Sequence, residues 1–161
     1  TTALTIVNAG NKENVLPDRA EATVNFRILP GDTQGQVLEH VKSELAQAVG
    51  EGKVKVTALP GAQEASKVAP TASNQYHLLN KTIREVFPGT LVAPGLMVAA
   101  TDSVHYSELS DHIFKFSPVR ANAEDLKRFH GTNERLSTSN YAEAIRFYYR
   151  LLSEGAKAPA P

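Results

Sequence analysis

One segment of strict alternation constrains the fold of this chain more than any other sequence feature. From Ala20 to Leu29, apolar and polar residues take turns along the chain. The apolar positions are Ala20, Ala22, Val24, Phe26 and Ile28, and the polar positions are Glu21, Thr23, Asn25 and Arg27. A period of two residues is typical of a strand whose two faces meet different surroundings. Because one face is polar, the pattern indicates an antiparallel sheet that buries only one of its sides.

The segments around this strand predict a small β-β-α-β unit over residues 1–59. Leu4 to Val7 is short and rich in β-forming residues, and Val54 and Val56 alternate with lysines. Between the strands, Asp32 or Thr33 can cap a helix that Gly50 would end. Its apolar residues recur every four positions, at Val37, Val41, Leu45 and Val49. A balanced sandwich of this kind would have one more helix and one more strand, which we expect before Leu4.

A second pattern follows a connection of residues 60–71 that is rich in Ala, Gly and Pro. Tyr76, Leu79, Ile83 and Val86 predict an amphipathic helix that stops before Pro88. Short strands are predicted at 91–92, 96–98 and 113–116. Capping residues at 137–140 then begin a strong helix, whose apolar face we predict to be Tyr141, Ala144, Ile145, Tyr148, Leu151 and Leu152. Residues 72–155 thus form a second region of an α+β (α/β) chain, and residues 156–161 form a tail.

Composition excludes several classes of function. The 161 residues carry 17 basic and 17 acidic side chains, so no basic surface for nucleic acid is indicated. No apolar stretch approaches the ~20 residues of a membrane-spanning helix. Cysteine is absent, which excludes disulfides, thiolate metal ligands and cysteine nucleophiles but leaves the compartment open.

His130 is the strongest candidate for chemistry among the five histidines. It lies in Phe129-His130-Gly131-Thr132-Asn133-Glu134-Arg135, in a loop before the last predicted helix. We expect Gly131 to let the backbone come close. Asn133 and Glu134 offer acceptors that could fix the tautomer of an imidazole. Taken alone, the His-Gly pair is a weak signal, and an ordinary loop histidine is the simpler interpretation.

Two further groups of residues are candidates for substrate contact. Thr101-Asp102-Ser103 follows a predicted strand and leads into a helix, which Asp102 or Ser103 could cap. Alternatively, the start of this helix could meet a substrate carboxylate or orient a metal ligand. Asn14 lies in Asn14-Val15-Leu16-Pro17, and Arg27 follows thirteen residues later on the polar strand face. A guanidinium can bind a carboxylate through two parallel hydrogen bonds. The simpler interpretation is that Asn14 is an ordinary turn residue and that Arg27 is a solvated surface residue.

In this order and spacing, the motifs resemble the second half of M20 metallopeptidases. The matching stretches are Asn14-Val15-Leu16-Pro17 with Arg27, Ala100-Thr101-Asp102-Ser103, Ile113-Phe114-Lys115-Phe116-Ser117-Pro118, and Phe129-His130-Gly131-Thr132-Asn133-Glu134-Arg135-Leu136-Ser137. The resemblance is greatest to the branch of carboxypeptidase S and the N-acyl-amino-acid hydrolases. It implies that residues 1–59 are part of a ferredoxin-like lid that forms a homodimer, and that residues 72–155 end an α/β zinc-peptidase catalytic domain.

The resemblance also assigns roles to residues. His130 matches the last ligand of a two-zinc centre, Asn14 and Arg27 match lid residues that hold the substrate's terminal carboxylate, and Thr101 and Asp102 match the loop that lines the pocket. The other zinc ligands and the catalytic glutamate would lie upstream, so the chain alone is expected to be inactive. The implied reaction is hydrolysis of a peptide amide at a free carboxyl end. Deacylation of N-acyl amino acids, or a non-catalytic dimerisation or binding module, is the alternative.

Overall fold

A computed structural model of the protein describes residues 1–99 and 101–157. It combines helices with one small antiparallel sheet, so the prediction of an α+β chain is confirmed. The chain divides into two compact units, one of residues 1–68 with 98–104 and the other of residues 69–97 with the chain from 105 onwards. In the part of the chain that the structure describes, no helix is both long and apolar enough to cross a membrane.

A hairpin of two strands forms the sheet of the first unit. Strand β1 (Thr2–Ala9) pairs antiparallel with strand β2 (Ala20–Phe26), and the chain between them turns back through Gly10 at a φ of +70°. A positive φ is accessible to glycine without steric cost, which suits this turn. The ladder continues one step further, because the backbone N–H of Arg27 donates to the Thr1 carbonyl at 2.8 Å.

A bulge in β1 decides which side chains share a face of the hairpin. Leu4 pairs with Val24, but the extra residue Thr5 shifts the register, so Val7 pairs with Ala22. Without the bulge, alternation would turn Val7 away from Leu4. With it, Leu4, Val7 and Val24 lie on the same face, and all three are exposed.

The predicted helix of the first unit is present with one interruption. Helix α1 (Gln34–Glu44) is followed by α2 (Ala46–Gly50), with Leu45 between them. Thr33 caps α1: its Oγ1 accepts from the Gln36 N–H at 3.2 Å, and Oε1 of Gln36 accepts from the Thr33 N–H at 2.8 Å. The predicted strand over Val54 and Val56 is not formed. The described sheet therefore has two strands instead of the three that the sequence predicts.

Two long helices and one short helix build the second unit. Helix α5 (Thr138–Gly155) begins at the predicted place, where Ser137 accepts a hydrogen bond from the first turn. Helix α3 (Asn74–Val86) covers the predicted apolar positions and ends before Pro88, and Ser73 caps its start. Helix α4 (Ala123–Leu126) is short. The strands predicted at 91–92, 96–98 and 113–116 are not formed. A strand needs a neighbouring backbone for its N–H and C=O groups, and the described residues supply none there.

The core of the second unit lies where α3 meets α5. Ile83, Phe87 and Phe147 are its buried apolar residues, and the ring of Phe116 lies 5.2 Å from that of Phe147. Phe147 is only 1% exposed. The predicted apolar face of α5 is therefore partly wrong: Ala144 and Leu151 are half-buried, but the exposed side chains include Tyr141, Ile145, Tyr148 and Leu152.

Candidate functional site

His130 stands at the tip of a tight turn. After α4, the backbone N–H of Gly131 donates to the Arg128 carbonyl at 2.9 Å, which closes the turn around His130. His130 has a φ of +59°, in the left-handed region that non-glycine residues seldom adopt. The sequence did not predict this conformation for His130. Such strain costs on the order of 1–3 kcal/mol and persists only where the surroundings impose it.

The imidazole of His130 is exposed to solvent. Glu134 does contact His130, but its Oε2 accepts from the backbone N–H at 3.2 Å and not from the ring. Asn133 follows with a second positive φ, of +69°. Within residues 1–99 and 101–157, no hydrogen bond or ion pair holds the ring, so both ring nitrogens remain available to an incoming ligand.

A zinc ion fits this imidazole as one ligand of a larger set. Histidine is among the preferred ligands of zinc, and a catalytic site takes at least three protein ligands. In the part of the chain that is described, no group of three or more histidine and carboxylate residues lies close enough to hold a metal ion. A zinc centre that included His130 would therefore need at least one ligand from outside the described residues.

Three residues hold the base of the His130 loop, and of these the sequence pointed only to Asn140, as a possible cap of α5. Asn140, 2% exposed in the first turn of α5, accepts from the Arg120 N–H at 2.8 Å and donates to the Pro118 carbonyl at 3.0 Å. The Arg120 guanidinium binds both carboxylate oxygens of Glu143, at 2.8 and 3.0 Å. Asn140 could have been found from its place on the buried stripe with Ala144 and Phe147, because a buried polar side chain requires partners.

The Arg120–Glu143 pair also shifts both acid–base equilibria. Hydrogen bonds from the Arg120 guanidinium hold the pKa of the Glu143 carboxyl below its usual range, and the same bonds raise the pKa of Arg120. The guanidinium lies 5.1 Å from the centre of the Phe87 ring, so it is also held against the core. Beside it, a groove of about 490 Å³ is lined by Ile83, Phe87, Thr90, residues 116–122 and Asp125. None of the predicted site residues lines this groove.

Arg27 lies directly after the end of β2, and its side chain is exposed. Its backbone is fixed by two hydrogen bonds to Thr1, at 2.8 and 3.0 Å. In the described part of the chain its guanidinium has neither a hydrogen bond nor an ion pair. By contrast, Arg19 on the same hairpin is paired with Glu21. The guanidinium of Arg27 is therefore free to meet an external anion.

Asn14 lies at the opposite end of the hairpin from Arg27. It occupies a turn in the connection between β1 and β2, and it is exposed. A seven-residue strand such as β2 spans roughly 20 Å. No hydrogen bond among the described residues joins Asn14 to Arg27, so the structure does not bring this predicted pair together.

Thr101 and Asp102 lie at the start of a short 3₁₀ helix, Asp102–Tyr106. Thr101 provides the cap, since its Oγ1 accepts from the Ser103 N–H at 3.3 Å and lies 2.6 Å from the Ser103 hydroxyl. The sequence offered Asp102 or Ser103 for this role, so the capping atom is one residue earlier. Both Thr101 and Asp102 are exposed. Ala100, also part of the predicted motif, lies outside the described residues.

Comparison with known proteins identifies the family. Residues 1–53 match a family described as a peptidase dimerisation domain. Over 157 residues the chain is 42% identical to "Probable carboxypeptidase S-like 2" of Dictyostelium discoideum. The aligned residues make up 98% of this chain and 30% of that relative. The chain belongs to the M20 peptidase family.

Other M20 relatives carry a different name. The chain is 40% identical over 163 residues to an N-fatty-acyl-amino acid synthase/hydrolase of Xenopus tropicalis, across 100% of this chain and 31% of that protein. It is 39% identical over 155 residues to the human protein of the same name, across 94% of this chain and 30% of that protein. The chain thus spans about a third of the length of the curated M20 relatives that it matches. No solved structure matches it significantly.

Proposed function

We propose that this chain is part of a zinc-dependent M20 hydrolase that cleaves the amide bond of a peptide at a free carboxyl end. The observation that carries the proposal is the Arg27 guanidinium, which is exposed and without a side-chain partner among the described residues. A planar guanidinium matches a carboxylate with two parallel hydrogen bonds. Arg27 also lies in the segment that matches a peptidase dimerisation domain.

The proposed division of labour follows from the exposed side chains. Arg27 binds the terminal carboxylate of the substrate, and Thr101 and Asp102 line the substrate site. Asn14 lies at the other end of the hairpin, so within one chain it would contact a different part of the substrate site from Arg27. His130 supplies one imidazole to a centre of two zinc ions. Zinc held there would supply polarisation of the amide carbonyl and activation of a water molecule. The remaining ligands and the general base would come from other parts of the complete enzyme.

Deacylation of N-acyl amino acids is the second candidate for the reaction. Relatives named N-fatty-acyl-amino acid synthase/hydrolase favour it, at 40% and 39% identity. Both substrate classes place a free carboxylate on the amino acid that leaves, so Arg27 has the same role in each. They differ in the acyl side, which the described residues do not enclose.

We also propose a homodimer formed through the lid, residues 1–59. The match of residues 1–53 to a dimerisation domain supports this proposal. The exposed apolar face of Leu4, Val7 and Val24 supports it as well, because apolar side chains that cluster on a surface are typical of an interface. If the chain served only as a dimerisation or binding module, His130 would not bind zinc.

Replacement of Arg27 in the complete enzyme tests the proposal. We expect Arg27→Ala to reduce kcat/KM for free-acid substrates roughly 30- to 900-fold, which corresponds to a loss of about 2–4 kcal/mol in transition-state stabilisation. Arg27→Lys should restore little, since an ammonium cannot form the two parallel bonds. Substrates with an amidated carboxyl end should be poor for the wild type and nearly unaffected by the mutation.

The matched control is Arg19→Ala, which removes an exposed arginine that is already paired with Glu21. It should leave both substrates unchanged. Equal losses on free-acid and amidated substrates would remove Arg27 from the carboxylate site. A series of acyl groups, from aminoacyl to long fatty acyl, then separates the peptidase from the N-acyl-amino-acid hydrolase.

A further inference from the structure

We propose that Asn140 is a positioning residue, which fixes the orientation of His130 by pinning the base of its loop. The inference rests on the proposed function, in which His130 is a zinc ligand. The loop concerned is here called the histidine loop and comprises residues 121–136. Both of its ends meet the first turn of α5, where Ser137 caps the helix and Asn140 holds Arg120.

The Asn140 carboxamide forms hydrogen bonds with the backbone that a neighbouring strand would otherwise form. Its oxygen accepts from the N–H of Arg120 and its nitrogen donates to the carbonyl of Pro118, so it spans the two backbone groups that flank Val119. The same nitrogen donates to Oε2 of Glu143 at 3.1 Å, which also binds Arg120. Both N–H donors and the oxygen of this buried side chain are thus engaged, and its orientation is fixed.

From this base, a chain of contacts three residues apart leads to His130. Oδ1 of Asn122 accepts from the Asp125 N–H at 3.1 Å, and Oδ1 of Asp125 accepts from the Arg128 guanidinium at 2.7 Å. The Arg128 carbonyl then accepts from the Gly131 N–H at 2.9 Å. Each link holds the next turn, so a displacement at Arg120 is transmitted to the turn that contains His130.

Loss of Asn140 would release one end of the histidine loop. The N–H of Arg120 and the carbonyl of Pro118 would lose their partner, and the 16 residues of the loop would gain conformational freedom. The left-handed conformation of His130 is sustained only by its surroundings, so it would relax when they loosen. The imidazole would then meet the zinc centre less often in the required orientation.

The test measures the zinc dissociation constant of the complete enzyme by competition with a chelator. We expect Asn140→Ala to weaken zinc binding by about 10- to 100-fold, the range for groups that orient a metal ligand. Thr82→Ala is the control. Thr82 is also buried, 1% exposed, but its hydroxyl bonds to the Leu78 carbonyl in α3, away from the loop. It should lower stability and leave zinc affinity within about twofold of wild type, well short of the loss expected for Asn140→Ala.

If Asn140→Ala does not fold, Glu143→Gln decides the question, with an expected loss of about tenfold in zinc affinity. Wild-type zinc affinity in the folded variant overturns the positioning role, as does an equal loss in Thr82→Ala. His130→Ala separates this failure from that of the proposed function. If it loses zinc while the Asn140 variant does not, only the positioning role is refuted. If it retains all its zinc, both proposals are refuted.

Discussion

Truncation of Phe147 tests the packing of α3 against α5. Phe147 is 1% exposed and lies among the rings of Phe87 and Phe116, at 6.5 and 5.2 Å. Its replacement by Ala removes the centre of the core, and such a change costs about 3–5 kcal/mol in the free energy of unfolding. A domain of this size has only about 5–15 kcal/mol in total, so the loss is a large fraction.

The assay is urea unfolding followed by far-ultraviolet circular dichroism, to which α5 contributes strongly. With a slope of about 2 kcal/mol per molar urea, a loss of about 4 kcal/mol moves the midpoint down by roughly 2 M. Ile145→Ala is the matched control, because Ile145 lies on the same helix but is 56% exposed. We expect it to change the free energy of unfolding by no more than about 0.5 kcal/mol. A loss in Ile145→Ala equal to that in Phe147→Ala would refute the assignment of the buried face.

Two further predictions concern acid stability and self-association. Because Arg120 lowers the pKa of Glu143, their pair stabilises the folded state at neutral pH, and this contribution is lost as the pH falls below the usual glutamate value of 4.5. The difference in melting temperature between wild type and Glu143→Gln should therefore shrink in acid, and a difference independent of pH would contradict this. The isolated chain should self-associate, since Leu4, Val7 and Val24 are exposed beside strand edges that no other described strand pairs with. A monomer at all concentrations in sedimentation, with a sharp reversible melt, would count against it.

Local signals in the sequence predicted most helix boundaries. Thr33 and Ser137 each cap the helix that follows, as a hydroxyl before an amphipathic segment indicates. The alternation from Ala20 predicted β2 for the same reason, because the pattern and its partner strand are close in sequence. Boundaries of this kind depend on contacts within a few residues, which the sequence contains.

Strands that need distant partners were predicted less well. Val54 and Val56 alternate correctly, yet they form no strand among the described residues. The same holds for residues 113–116. β-propensity describes how well a residue suits a pleated surface, and it does not supply the neighbouring strand.

The buried face of α5 could not be chosen from periodicity alone. Tyr141, Ile145 and Tyr148 recur at helical spacing, and so do Ala144, Phe147 and Leu151. A helix that is apolar on two faces has no single apolar side, so periodicity does not tell which face is buried. In α5, contacts with Phe87 and Phe116 decide which stripe is buried. Asn140 lies on the buried stripe, and its side chain binds Pro118, Arg120 and Glu143 instead of capping the helix.

The site residues were chosen by resemblance, and their roles remain predictions. The structure adds what the sequence could not supply, namely the left-handed conformation of His130 and the unpaired side chain of Arg27 among the described residues. This backbone strain follows from the turn that ends at Gly131, and no residue type in the motif predicts it.

The zinc content of His130→Ala in the complete enzyme tests the central proposal most directly. The wild type should bind about two zinc ions per chain, and the variant should lose zinc together with activity, by on the order of a thousandfold. His112→Ala is the control, because His112 is another exposed histidine of the same unit. It should keep both zinc and activity. Full zinc content with wild-type turnover in His130→Ala would contradict the assignment of His130 as a ligand.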